Sequence, residues 1–155
     1  MRTIFLSFKD KWYEYLRSGQ KIYEHRGRFC KGSVIAYLYV GIPRQEVVAI
    51  MELGERVELA SWLDKYKDDA DCIDRIKESM QRNKYVMEIK RIQFIKPIKV
   101  SDIKEKFPDF HIPISYFYID KKPELLKYLE ENTVCDSDLI VHSFDAITSD
   151  DICRY

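Results

Sequence analysis

The sequence predicts an α+β domain, with a mostly antiparallel sheet of five to six strands, flanking helices and one helical insertion. Three observations carry this. Segments 3–8, 34–40, 47–53 and 84–95 are short and either alternate with period two or are apolar throughout, as strands are. Between the third and fourth of them the period changes. Over 59–82, Leu59, Trp62, Leu63, Tyr66, Ala70, Ile73, Ile76 and Met80 recur at three- and four-residue intervals, the spacing of a helical face. The links between strands carry turn residues, such as Gly32-Ser33 and Gly41-Ile42-Pro43. At 155 residues the chain has room for one domain with a single core.

The elements follow in order. Residues 3–8 form a first strand, with Phe and Ile alternating against smaller side chains. Over 9–18, Trp12, Tyr15 and Leu16 share a helical face, and Gly19 supplies a left-handed C-terminal cap. A strand over 21–29 runs into the turn at 30–33. Residues 34–40, apolar on both faces, predict a fully buried strand that pairs with 47–53 as a hairpin. The helical stretch 59–82 reads as two helices joined near Asp68-Asp69, or one bent helix. Its mixed charges suit a solvated face, and an insertion placed there serves as a lid or wall. A long strand over 84–95 is expected to end at Lys96-Pro97-Ile98. A short helix then starts with Ser101 as its N-cap. Residues 110–119 read as an irregular extended segment whose Ser115, Tyr116 and Tyr118 can point inward. Pro123 opens a last helix reaching about Glu131. In the tail, 139–141 either adds an edge strand or belongs to a partly mobile segment.

Composition narrows the function. Lys and Arg (26) balance Asp and Glu (26), so a nucleic-acid surface has to be a local patch and not a global basic field. The four cysteines, at 30, 72, 135 and 153, form no CxxC pair and have no neighbouring His to complete a metal site, so no metal and no cofactor is expected. They suit a reducing compartment. The N-terminus lacks the pattern of a signal peptide and no apolar run approaches ~20 residues, so a soluble, cytoplasmic protein is expected.

The chemistry concentrates in Gly19-Gln20-Lys21-Ile22-Tyr23-Glu24-His25-Arg26. Lys21, Glu24 and Arg26 each lose several kcal/mol when buried without partners, roughly. They are therefore either exposed and incidental or paired around a pocket that a polar group enters. Side chains alternate along a strand, so Glu24, Arg26 and Arg28 share one side, and Lys21 joins them only where the backbone bends near Ile22. The plainer reading makes Lys21 a charge complement to the preceding helix C-terminus, and Glu24 with Arg26 a surface ion pair. Density of charge favours the pocket: a Lys, a Glu, a His and two Arg fall within eight residues. Tyr37, Tyr39, Glu52 and Glu55 are further groups that can reach such a site.

The order of elements, together with Gly19, Lys21, Glu24 and Arg26 in a GxKxxExR pattern and Phe94-Ile95-Lys96-Pro97-Ile98 after the long strand, resembles the ASCH domains of the PUA-like superfamily. The resemblance covers roughly residues 3–120. It implies a PUA-like β-pseudobarrel over 1–120, with 59–82 as an insertion and 121–155 as a C-terminal helix and tail. It also implies a cleft lined by the motif, in a superfamily given largely to RNA and modified-base recognition. Some small ASCH proteins are linked to hydrolysis of amides on acylated pyrimidine nucleosides, others to RNA cleavage. In the amidohydrolase type the motif lysine works with a threonine at the position that is Glu24 here, so this chain lacks a hydroxyl nucleophile at that place.

The leading expectation is a binding domain for RNA or a nucleoside-like small molecule. Lys21, Arg26 and Arg28 would meet phosphate or base acceptors, Glu24 would orient Arg26 or accept from an exocyclic amine, and Tyr39, Tyr116 and Ser115 would complete the site. The alternative is a hydrolase of a modified nucleoside or of RNA, with Lys21 and Glu24 as the catalytic pair. A third reading is a protein-interaction module that uses the 59–82 surface.

Overall fold

The computed structural model describes residues Met1–Tyr155. The strands are β1 (Arg2–Phe8), β2 (Tyr23–Arg26), β3 (Val34–Val40), β4 (Glu46–Leu53), β5 (Val57–Glu58), β6 (Tyr85–Lys99), β7 (Tyr116–Tyr118) and β8 (Ile140–Val141). The helices are α1 (Tyr13–Arg17), α2 (Ser61–Lys65), α3 (Ala70–Met80), α4 (Val100–Lys106) and α5 (Pro123–Glu131). Six strands run in the order β2-β6-β4-β3-β1-β7 as a curled half-barrel, and the short β5 and β8 add to β6. Every pairing is antiparallel except β1 with β3. The expected α+β pseudobarrel is the fold found.

Alternation along β1 and β3 explains why β3 is apolar on both faces. Ile4, Leu6, Val34, Ala36 and Leu38 face the barrel interior, where α1 adds Tyr13 and Leu16. Phe5, Tyr37 and Tyr39 face the other way, into a second cluster closed by α4 and α5 through Ile103, Leu125 and Leu129. Burying such a side chain stabilises the fold by about 1.5–3 kcal/mol. A third cluster packs α2 and α3 on the outer side of β2, through Trp62, Cys72 and Ile76 against Tyr23 and Val86. Asp69 caps α3 by accepting from the Cys72 N–H at 3.1 Å, so the helical stretch does break at the Asp pair.

Four local expectations are corrected. Pro97 does not end the long strand: β6 continues to Lys99 because the β4 register slips between Val47 and Ala49, and the bulge leaves Pro97 without a ladder bond to supply. Ser101 lies inside α4, whose N-cap is Lys99 with no side-chain bond. The strand expected over 21–29 is only β2, since the chain bends after Arg26. In α1 the buried residues are Tyr13 and Leu16, while Tyr15 is exposed.

The two ends of the half-barrel, β2 and the β1–β7 pair, meet through side chains. Arg26 on β2 donates to the Ser7 carbonyl on β1 at 2.6 Å, and the rings of Phe29 and Tyr116 lie 5.3 Å apart across the same gap. Burial of both sheet faces predicts that Phe5→Ala, which removes stacking on Tyr39 and Phe117 and an edge contact with Phe110, costs about 3–5 kcal/mol. Phe94→Ala in the interior cluster is expected to cost a similar amount. Urea denaturation of both variants checks this, and a mild loss for Phe5→Ala alone would contradict the second core.

Candidate functional site

Positioning of the motif begins at α1. Gly19, at φ 82°, turns the chain out of the helix, and the Lys21 N–H closes on the Tyr15 carbonyl at 2.9 Å. Lys21 therefore precedes β2, and its side chain folds back along the strand it introduces. Its ammonium donates to the Tyr23 carbonyl at 2.7 Å and to the Tyr155 main-chain oxygen at 3.2 Å, with the Trp12 ring centroid 5.7 Å away. Within β2, Glu24 pairs with Met87 and Arg26 with Tyr85, so both side chains stand on the interior side of the sheet.

Lys21 is 3% exposed and Glu24 5%, the two buried charged residues of the chain. Glu24 Oε1 accepts from the His25 N–H at 3.1 Å and lies 3.6 Å from Arg26 Nε. Glu24 Oε2 is buried with no partner. Burial alone would raise the Glu24 carboxyl, but Lys21, Arg26 and the His25 N–H outweigh it and hold the group ionised, below the ordinary glutamate range. Burial pushes the Lys21 ammonium down, against the attraction of Glu24 and with the repulsion of Arg26. His25, on the outer side of β2, lies 3.8 Å from the Cys153 thiol. Burial first and Lys21 second push its imidazole down to about 4.

The C-terminal segment meets the motif at Lys21 and His25. Two hollows stand out elsewhere. An apolar one of about 300 Å³ lies between the end of α4 and the start of α5, and a polar one of about 640 Å³ lies between β6 and residues 141–145. Neither is lined by Lys21, Glu24 or Arg26.

No protein-family model and no curated protein sequence matches the chain. Solved structures do. The crystal structure of ASCH from Zymomonas mobilis superposes with a TM-score of 0.64 at 20% identity, covering 86% of this chain and 96% of that one. A tyrosine-to-phenylalanine variant of the same protein gives 0.64 at 20% identity, covering 86% of this chain and 100% of that one. A serine-to-alanine variant gives 0.62 at 18%, with 86% and 97% covered. This chain has the fold of an ASCH domain.

On this ASCH fold the structure brings Lys21, Glu24 and Arg26 together and adds His25, Trp12, Cys153 and Tyr155. Of the other residues singled out from the sequence, Ser115 and Tyr116 stand at the seam that Arg26 closes, while Tyr37, Tyr39, Glu52 and Glu55 lie apart. Tyr39 stacks on Phe5 in the second cluster, on the opposite sheet face, and Tyr37 is buried in the same cluster. Arg28 is exposed and unpaired just after the bend. Ser115 accepts from the Ser7 N–H through its carbonyl, and Tyr116 packs between Phe29 and Tyr118 at the closing seam. Glu52 lies 3.7 Å from Arg91 beside the polar hollow, and Glu55 accepts from the Gly32 N–H. No helix is long and apolar enough to cross a membrane.

The His25 environment sets a pH dependence. Unfolded histidine titrates near 6.5 and the folded group at about 4, so between these values the unfolded chain binds the extra proton. Stability is therefore expected to fall as pH drops through that window, by roughly 2–3 kcal/mol at ~1.4 kcal/mol per unit. His25→Gln should flatten this part of the curve. Urea midpoints followed across the window for both proteins measure it, and identical slopes would refute it.

Proposed function

We propose that the chain binds a nucleoside base, free or within RNA, at Lys21, Glu24 and Arg26. The unpartnered, buried Glu24 Oε2 carries this reading. An ionised carboxylate oxygen left without a donor costs about 1–3 kcal/mol or more, so the site is complete only when a ligand brings an N–H or O–H to it. Lys21 and Arg26 alongside it offer donors to an acceptor. The complementary partner presents a donor and an acceptor on one edge, as the amide-like edge of a base does. A phosphodiester offers acceptors alone and would face the same carboxylate with like charge. Trp12 and Tyr15 beside Lys21 supply ring surface of the kind on which bases stack. Arg28, exposed after the bend, suits a contact to backbone phosphate.

The resemblance of the GxKxxExR pattern to ASCH domains supports the same class of ligand. A second reading has one observation of its own, because a lysine whose ammonium is pushed down by burial beside a carboxylate suits a general base. On that reading Lys21 activates water for amide hydrolysis on an acylated nucleoside. Release of free acid from acylated cytidine by purified protein is its expected signature, and no release across a nucleoside panel would remove it.

Fluorescence titration with RNA oligomers and free nucleosides tests the binding reading. Glu24→Gln keeps the side chain's size while removing its charge and replacing one carboxylate oxygen with an NH₂. It is expected to weaken binding about 10–100-fold, as is Lys21→Ala. Wild-type affinity in both variants would sink the proposal.

A further inference from the structure

The last seven residues are tied down twice, to different parts of the molecule. Near the insertion, Ile152 is fully buried in the third cluster, Arg75 on α3 donates to the carbonyls of Ile152 at 3.0 Å and Ser149 at 2.7 Å, and Ser149 donates to Asp69 at 2.6 Å. Beyond Ile152 the chain turns at Cys153, whose φ of 55° lies in the left-handed region. It then runs over the motif. There the Tyr155 ring packs on Tyr15 with centroids 4.6 Å apart, its hydroxyl accepts from the Gln20 amide at 3.4 Å, and its main-chain oxygen accepts from the Lys21 ammonium at 3.2 Å.

Two of these contacts copy what a nucleoside base would make: a ring against an aromatic side chain and an oxygen acceptor on the lysine. Glu24 Oε2 marks the one part of the constellation that the segment leaves unmet. We propose that residues 153–155 form a self-ligand strap that occupies the ring and acceptor positions beside Lys21, is anchored by the helical insertion through Arg75, and must swing out at Cys153 before an external ligand binds. The inference rests on the binding reading for the identity of that ligand, but not for the existence of the strap. Closure lowers the apparent affinity by the fraction of molecules that are open, so loosening the strap raises it.

The test separates the two. Lys21 reactivity toward formaldehyde and cyanoborohydride, read by mass spectrometry of its peptide, reports opening without any ligand. Tyr155→Ala removes the ring contact and the Gln20 bond, and Arg75→Ala removes the anchor without touching the strap's own residues. Each variant, with its fold checked by far-ultraviolet circular dichroism, is expected to raise Lys21 methylation about tenfold. Nucleoside or RNA affinity should rise by a similar factor in Tyr155→Ala. Faster methylation with no binding of any nucleoside or RNA would support the strap and overturn the ligand reading. Methylation unchanged in both variants would overturn the strap, whatever binds.

Discussion

A sheet that curls without closing leaves two ends apart, and in this chain one guanidinium reaches from the end strand β2 to β1, the strand next to the other end. Arg26 reaches from β2 to the Ser7 carbonyl on β1, and the ring pair Phe29 and Tyr116 fills the space beside it. A hydrogen bond from a charged donor contributes about 1.5–3 kcal/mol, enough to matter in a fold whose net stability is small. The same guanidinium stands 3.6 Å from Glu24, so closing the barrel and orienting the carboxylate are one event. This makes the interior side of β2 a place where charge is tolerated. Burying an ion costs several kcal/mol unless it is matched, roughly, and Lys21, Arg26 and the His25 N–H supply that matching from three directions. The match is incomplete at Oε2, which has no hydrogen-bond partner.

The outer side of β2 is covered by the insertion together with the tail, where Phe144 lies 5.4 Å from Tyr23 and Cys153 3.8 Å from His25. Its residues Tyr23 and His25 alternate with Glu24 and Arg26 and point away from the barrel, where Trp62, Cys72 and Ile76 cover Tyr23. α2 and α3 therefore complete the motif strand's second face. They also provide Arg75 and Asp69, the groups that fix Ser149 and Ile152. Insertion and tail are thus parts of one device: the insertion gives the tail a footing, and the footing sets where Tyr155 falls.

Much of this fold could be read from residue order. The two-faced apolarity of 34–40 requires a buried strand, and the spacing over 59–82 requires helices there. Pro97 misled because a proline inside a strand is ordinarily a stop, and only the bulge opposite Val47 and Ala49 removes the demand for its missing N–H. At the site, Lys21, Glu24 and Arg26 were legible because charges of both signs in a strand-like segment are costly unless they converge. Tyr39 was not, since the sequence gives its period but not which face of the sheet meets the motif. His25 was counted in that charged cluster, but its partner Cys153, like Tyr155, was out of reach for a different reason. Their contacts span 128 to 135 positions, and nothing local in the tail records what it will lie against.

Charge balance bears on how such a site can work. With equal numbers of acidic and basic side chains, the chain has no net charge to draw a polyanion from a distance, so on the proposed reading affinity has to come from short-range matching. Matching of that kind discriminates well, because a wrong edge leaves a buried donor or acceptor unpaired. It also makes an empty site expensive: a buried lysine without acceptors costs more than an exposed one. The Tyr23 and Tyr155 oxygens on Lys21 relieve that cost, whereas Glu24 Oε2 has no such partner. On the proposed reading, the tail satisfies the cation and leaves the carboxylate free for the ligand's own donor to claim.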